Sequence, residues 1–225
     1  MKHLTVYLFF FGTCLASFSQ QDSISVDSKY LDDQLYFAVS YNKLFDKNIS
    51  IDQSGFPLGF SFGFIKDIPI NDTRNFGFGL GFGYSYNNYI ENLVLNNRDI
   101  PNYSTTIPYE TNSFQTHSID LPLELRWRTS TPTNYKFLRV YGGAIVSYIY
   151  KDQNKFLSTS EASSKLSIPN LNKTQVALAL NIGYGTWNFF VNYYLSPFFT
   201  SPTLLDTGKE LKTNPVRLGL IFYFL

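Results

Sequence analysis

The chain's dominant pattern is an alternation of large apolar residues with small or polar ones. From Phe76 to Tyr86 every second residue is Phe, Leu or Tyr, and the residues between them are Gly or Ser. The same period recurs at residues 59–64 and 119–128, where the intervening positions are small, proline or charged. Because successive side chains of a strand point to opposite faces, a period of two predicts β-strands with one apolar face.

Eight segments carry this alternation and predict an all-β protein. They cover residues 34–43, 57–66, 75–87, 115–128, 137–150, 175–185, 188–196 and 215–225. Each has about the 9–11 residues, or slightly more, that a tilted strand needs to cross hydrocarbon. The connections alternate between long and short, as in outer-membrane barrels. We therefore predict an eight-stranded antiparallel up-and-down transmembrane β-barrel with short periplasmic turns and long extracellular loops.

Composition favours a membrane protein over a soluble sandwich. Aromatic residues make up 18% of the chain and charged residues only 16%, whereas about 25% of an average soluble domain is charged. A membrane barrel needs an apolar exterior and a small or polar interior, which matches the two faces of these strands. The net charge of +1 argues against a nucleic-acid partner, because such proteins need a basic face.

The N-terminus predicts export. Lys2 precedes an apolar stretch at 4–16 and small or polar residues, which is the pattern of a cleaved signal peptide over residues 1–20. We expect residues 21–33 to be a periplasmic segment and residues 34–225 to form a barrel in the bacterial outer membrane. Cleavage would also remove the only cysteine and leave a single histidine, so we predict no metal site and no cofactor.

Charged residues occupy the face of the strands that should line the lumen. They are Asp120, Glu124, Arg126, Arg128, Arg139 and Arg217. An eight-stranded barrel is just wide enough for side chains to fill its interior, and an unpaired charge there is costly. We expect these charges to pair and close the lumen. A narrow porin is the alternative, and steady conductance in a planar bilayer would favour it.

His117 is the only residue of the mature chain that could serve as an imidazole base. Its phase places it on the outward face near the outer rim, where a lipid A-modifying enzyme would act. Ser118 and Asp120 have the opposite phase, so a partner would have to come from the same face or from a neighbouring strand, such as Ser85 or Tyr148. We predict a protein without enzymatic activity and keep lipid A modification as an alternative.

The predicted long loops contain more apolar residues than solubility requires. Candidate partner-contact residues are Tyr89, Leu93, Leu95, Tyr103 and Tyr109 in one loop and Phe198 and Phe199 in another. Long loops are often functional, and exposed apolar patches often mark contacts. Alternatively, these residues extend the barrel above the membrane and pack on one another.

The last predicted strand resembles the C-terminal aromatic signature by which outer-membrane barrels are recognised for insertion. Leu220, Phe222 and Phe224 alternate there on the outward face. The resemblance implies the barrel-assembly machinery as a partner during insertion, alongside outer-membrane lipid or lipopolysaccharide as the surroundings of the finished barrel.

A family resemblance rests on three features: the Ser19-Gln20-Gln21 end of the export signal, the strand at 119–128 followed by Tyr141-Gly142-Gly143-Ala144, and the closing strand at 216–224. Together they resemble the PorT-like outer-membrane β-barrel family of Bacteroidetes. That resemblance implies a small barrel that binds a larger outer-membrane or periplasmic complex, with type IX protein secretion as the process. The alternative is a free-standing structural barrel resembling the membrane domain of OmpA.

Overall fold

A computed structural model of the chain describes residues 33–46, 51–53, 55–97, 101–129, 137–157, 164–200 and 202–224. The predicted signal peptide and residues 21–32 of the predicted periplasmic segment lie outside the described residues. Within the described ranges, no helix is both long and apolar enough to span a membrane.

The described residues form twelve strands. They are β1 (Gln34–Asp46), β2 (Leu58–Pro69), β3 (Phe76–Ile90), β4 (Val94–Asn97), β5 (Asn102–Ser104), β6 (Thr111–Arg128), β7 (Leu138–Leu157), β8 (Ser164–Leu166), β9 (Thr174–Tyr184), β10 (Trp187–Tyr194), β11 (Leu204–Leu205) and β12 (Thr213–Phe224). Eight of them, β1, β2, β3, β6, β7, β9, β10 and β12, pair antiparallel into a closed barrel. The first strand pairs with the last, from Leu35↔Phe224 to Asp46↔Thr213. The predicted fold is confirmed.

The barrel has its apolar side chains outside. The outward residues that are more than a third exposed include Phe60, Phe62, Leu80, Phe82, Leu121, Leu123, Leu178, Leu180, Phe189 and Leu218. Such a surface suits hydrocarbon and is unfavourable in water. The closed ladder satisfies the backbone N–H and C=O groups that lipid cannot hydrogen-bond.

Glycines form a thin inner wall on β3. A Cβ on Gly79 would lie 2.9 Å from Arg126 Cδ, and a Cβ on Gly83 would collide with the Tyr36 hydroxyl. Glycine at these positions therefore provides the space that large inward side chains from other strands occupy. This explains why one face of the alternating segment is so small.

Some strands extend further than the sequence predicts. The extension lies at the predicted extracellular end, where the connections are long. The β6–β7 ladder continues to Thr111↔Leu157, beyond the predicted limits of 115 and 150. Polar residues occupy both faces there, so the apolar alternation does not mark the continuation. Asp67, which the sequence places in a turn, pairs with Gly79 in the β2–β3 ladder instead.

The register shift of the barrel sheet lies in β7, whereas at Pro122 the β3–β6 ladder is interrupted without a shift. A bulge or bend is predicted at Pro122, because proline lacks an N–H for the ladder. The β3–β6 register is nevertheless the same on both sides of Pro122, at Leu80↔Leu123 and at Gly83↔Asp120. The two residue pairs between these positions are missing from the ladder. The register shift occurs between β6 and β7, where Tyr150 is the extra residue.

Two adjacent glycines of β7 test the packing of the wall. A Cβ on Gly143 would collide with the Leu123 carbonyl oxygen, whereas a Cβ on Gly142 would meet nothing within 4 Å. We expect Gly143→Val to lower the free energy of unfolding by at least about 1–3 kcal/mol, the usual cost of overpacking. Gly142→Val is the control and should leave it nearly unchanged. Urea unfolding in lipid vesicles measures both, and equal stability of the two variants would contradict the described packing.

Candidate functional site in the lumen, the cap and the outer rim

A buried ion-pair network centred on Asp67 closes the periplasmic half of the lumen. Asp67 Oδ1 lies 3.1 Å from Arg126 Nη1, and Oδ2 lies 2.7 Å from Arg128 Nη2. Since β3 separates β2 from β6, these contacts pass over β3, where a Cβ on Gly77 would be 3.0 Å from Asp67 Oδ1. Asp67 is central to the network because it is the acid of both ion pairs. Removing one partner of a buried pair costs about 3–5 kcal/mol. Asp67 was not identified from the sequence. It lies two residues after Ile65, so the two side chains share the inward face of the strand.

Arg126 connects this network to four further strands. It hydrogen-bonds to Gln34 Oε1 on β1, and its guanidinium carbon lies 4.2 Å from the centre of the Tyr141 ring on β7. Its Nε is 3.5 Å from Glu124 Oε2. Asn181 Nδ2 on β9 donates to Glu124 Oε1 at 3.2 Å and to the hydroxyl of Tyr223 on β12 at 3.3 Å. The contacts therefore cross-link the barrel through its interior.

A second network lies nearer the extracellular end. Arg217 Nη1 donates to Asn87 Oδ1 at 2.9 Å, and its Nη2 is 3.9 Å from Asp120 Oδ2. Asp120 also accepts hydrogen bonds from Ser118 Oγ, at 2.9 Å, and from Ser85 Oγ. The structure thus brings Asp120 and Arg217 together in a network that joins β3, β6 and β12.

Arg139 differs from the other predicted lumen charges. Its Nη1 is 3.4 Å from Asn188 Oδ1, and its guanidinium carbon lies 4.4 Å from the centre of the Phe137 ring. Within the described part of the chain no carboxylate forms an ion pair with it, so the expectation that it pairs with an acid is wrong there. An amide and an aromatic face take the place of the acid.

Little space remains between the two networks. A cavity of about 40 Å3 is lined in part by Tyr36, Glu124, Asn181, Phe190 and Arg217. A buried water needs about 10–15 Å3 of such a cavity. This cavity therefore has room for a few waters and none for a larger solute. The described residues also contain no cluster of His, Asp or Glu suited to a metal ion.

An apolar core, here called the cap core, fills the extracellular end. Its buried members are Leu44, Ile51, Tyr89, Leu93, Tyr103, Phe114, Ile149, Ile168, Leu171, Phe198, Phe199, Leu205 and Leu211, with Leu95 packed against them. Three short strands, in the order β11-β5-β4, form a separate small sheet beside it. Together the sheet and the cap core, which we call the cap, cover the extracellular end of the lumen.

Most of the predicted partner-contact residues belong to the cap core. Tyr89, Leu93 and Tyr103 are at most 2% exposed, and Phe198 and Phe199 are 1% exposed. Side chains so deeply buried present no surface to a partner, so the prediction of direct contact is wrong for these five residues. Leu95 and Tyr109 are half-buried, and for them it stays a prediction.

Buried polar contacts hold the cap in place. Asn112 Nδ2 donates to the carbonyl oxygens of Glu91 and Leu93 at 2.9 and 2.6 Å. The Tyr103 hydroxyl donates to the carbonyl oxygen of Pro169 at 3.0 Å. These bonds join the connection after β3 to the barrel wall and to the segment before β9, so the cap is tied to the barrel at several points.

Glu91 is a buried acid of the cap that sequence reasoning missed. Its side chain is fully buried, and its Oε1 accepts the Leu44 N–H at 3.0 Å. Burial raises the pKa of Glu91 to about 7, although the Leu44 N–H and the charge of Lys43 act in the opposite direction. The protonated acid is therefore the form that the folded cap favours.

His117 faces outward, as predicted. Its Nδ1 lies 2.7 Å from the Tyr84 hydroxyl, and Tyr86 and Tyr150 are ring neighbours. Ser85, one of the possible catalytic partners, points into the lumen and bonds to Asp120. The neighbours of His117 are thus aromatic, and the structure does not bring Ser85 to it.

The last strand completes the barrel wall. Leu220 and Phe222 are half-buried on its outward face, and Phe224 is 56% exposed. The Phe222 ring centre lies 6.1 Å from that of Trp187 at the periplasmic end. Aromatic residues are typical of this membrane boundary, and recognition of the strand during insertion stays a prediction.

Glu91 generates a prediction on pH. Its pKa is about 7 in the folded state against an ordinary 4.5, so folding favours the protonated acid. That stabilisation is complete below pH 4.5, declines as the pH rises, and is lost above about pH 7. We expect wild-type stability to fall over this window and Glu91→Gln to abolish the fall. Urea midpoints measured across the window test this, with Glu110→Gln, at an exposed position, as the control. An unchanged fall in Glu91→Gln would contradict the assignment.

A match to a protein family agrees with this architecture. The model of the outer membrane protein beta-barrel domain family matches residues 18–199. No curated protein sequence matches the chain significantly.

Two crystal structures of Ail, the attachment invasion locus protein of Yersinia pestis, are similar to this chain. The one in complex with the heparin analogue sucrose octasulfate has 13% identity and a TM-score of 0.38, covering 86% of this chain and 99% of that chain. The other has 15% identity and a TM-score of 0.38, covering 85% and 97%. The family match spans most of the chain, which therefore belongs to the outer membrane protein beta-barrel domain family and resides in the outer membrane.

Proposed function

We propose that this protein is a non-enzymatic, non-conducting scaffold of the outer membrane whose cap binds another protein. The observation that carries the proposal is the cap itself, a small sheet on an apolar core. A barrel that served only as a membrane anchor would not need a folded structure of this size above the membrane. Long structured loops on a rigid scaffold are a common location of binding surfaces.

The filled lumen supports a scaffold rather than a pore. Ion pairs cross its periplasmic half, and the cap core covers its extracellular end. Ions would have to break buried pairs or displace the cap core, and both are costly.

The surface available to a partner consists of the exposed residues of the cap. Asn96 lies at an irregularity of β4, one of the two outer strands of the small sheet, and is exposed. Lys209 is exposed in the connection between β11 and β12. An outer strand has N–H and C=O groups free to pair with an extended segment of another protein. We therefore expect binding to depend on the region of Asn96.

Planar-bilayer recording tests the closed lumen. We expect purified, folded protein to give no steady conductance, because buried ion pairs cross the lumen and the cap core covers its extracellular end. Reproducible open-channel currents from protein whose folding has been verified would refute the non-conducting scaffold and favour the narrow porin.

Co-purification from mild detergent tests the binding function. We expect a stoichiometric partner with the wild-type protein and its loss in the double variant Asn96→Arg, Lys209→Glu. Asp72→Arg is the control, because Asp72 is exposed in the periplasmic turn between β2 and β3. Recovery of a lone, heat-modifiable barrel in every case would reject the proposal and favour a free-standing structural barrel resembling the OmpA membrane domain.

The identity of a recovered partner tests the finer part of the proposal. The resemblance to the PorT-like family supports a component of a type IX secretion complex as the partner. Mass spectrometry of the co-purified protein would identify it. A stoichiometric partner without a role in secretion would retain the scaffold function and refute the secretion role.

A further inference from the structure

A polar and aromatic patch interrupts the outward face of β3, β6 and β7 near its extracellular end. It consists of Tyr84, Tyr86, His117, Tyr150 and Lys151, and we call it the rim patch. On β3 and β6 the next outward residues toward the periplasm are Phe82 and Ile119, which are 59% and 38% exposed. The patch therefore lies where the apolar band ends, at the level of the lipid headgroups.

The bulge in β7 creates this patch. His117 pairs with Lys151 and Ser118 with Ile149, which leaves Tyr150 as the extra residue. Ile149 is only 3% exposed, whereas Tyr150 is 51% exposed and Lys151 is exposed as well. In a regular strand two consecutive side chains point to opposite faces. The bulge presents both on the membrane side, and bulges that re-aim side chains are frequent at functional sites.

The aromatic members of the rim patch are held in a defined arrangement. The 2.7 Å contact of His117 Nδ1 with the Tyr84 hydroxyl positions the imidazole. Its ring centre lies 5.2 Å from that of Tyr86 and 6.2 Å from that of Tyr150. The result is a group of aromatic rings with polar tips, which suits an interface between apolar and polar surroundings.

The charge beside these rings is positive. Lys151 is exposed and pairs with His117 in the β6–β7 ladder, so it lies on the same outward face. The carboxylate nearest in sequence, Asp152, accepts hydrogen bonds from Ser167 Oγ at 2.8 Å and the Ile168 N–H at 2.6 Å. Asp152 is thus engaged by the cap, and the Lys151 ammonium remains at the membrane boundary.

We propose that the rim patch binds the phosphorylated sugar headgroup of an outer-leaflet glycolipid. Lys151 provides charge for the phosphate, and basic groups at a membrane surface select anionic headgroups. The tyrosine rings offer apolar faces to the sugar and hydroxyls to its polar groups. The acyl chains of the same lipid lie against Phe82 and Ile119 below. A soluble anion would gain nothing from that apolar surface, so the arrangement favours a lipid.

Binding of purified, phosphorylated lipid A to the full chain in phosphate-free detergent tests this inference by native mass spectrometry. Each lysine near a membrane surface contributes about 1 kcal/mol, which is about fivefold in affinity. We expect Lys151→Gln to lose about that factor and Tyr150→Ala to weaken retention too. Lys66→Gln is the matched control, because Lys66 is an exposed lysine at the opposite end of the barrel. Heat modifiability on cold gels verifies folding of every variant.

Several results would overturn the proposal. One is unchanged lipid A binding by the folded Lys151→Gln variant, and another is an equal loss in the Lys66 control. Equal binding of dephosphorylated lipid A would remove the role of the phosphate. Displacement of lipid A from the rim patch by inorganic phosphate at the same concentration as the lipid would show that the patch binds a soluble anion. Loss of a protein partner with unchanged lipid A binding would assign it to a protein contact.

Discussion

Closure of the ladder between β1 and β12 is the constraint on which the rest of this structure depends. Hydrocarbon offers no hydrogen bonds, so an open sheet edge could not remain in the membrane. Pairing from Leu35↔Phe224 to Asp46↔Thr213 removes both edges. Closure with eight strands also fixes the diameter, and at that diameter the interior must be filled by side chains. The apolar exterior and the polar, crowded interior both follow from it.

The crowded interior explains why β3 has glycine at its inward positions. These glycines in turn leave the space that the buried ion pairs occupy. Asp67 reaches Arg126 and Arg128 across β3 only because that strand presents Gly77 and Gly79 to the lumen. Tyr36 occupies the space that a side chain at Gly83 would need. The small face of the alternating segment is therefore the complement of the large charged and aromatic groups opposite. The same filling makes the barrel a rigid support for its cap.

The sequence predicts the lumen better than the cap. Arg126, Arg128, Asp120 and Arg217 lie where strand phase places them, because a period of two is set by local backbone geometry. The cap depends on contacts between segments far apart in the chain, such as Tyr103 with Phe199, whose ring centres are 4.7 Å apart. Nothing in a single segment indicates whether such an aromatic residue is exposed or buried. For that reason Phe198 and Phe199 have the features of a contact surface in the sequence and form a core in the structure.

The sequence by itself determined the number of barrel strands, their inward and outward faces, and the separation of long from short connections. These are local properties, set by alternation and by turn residues. Only the tertiary structure decided that Asp67 is the acid at the centre of the arginines and that Glu91 is a buried acid. It alone placed the bulge at Tyr150, because a bulge is a property of the register between two strands. Partner choice and register depend on how distant segments meet, and local pattern carries no information on that.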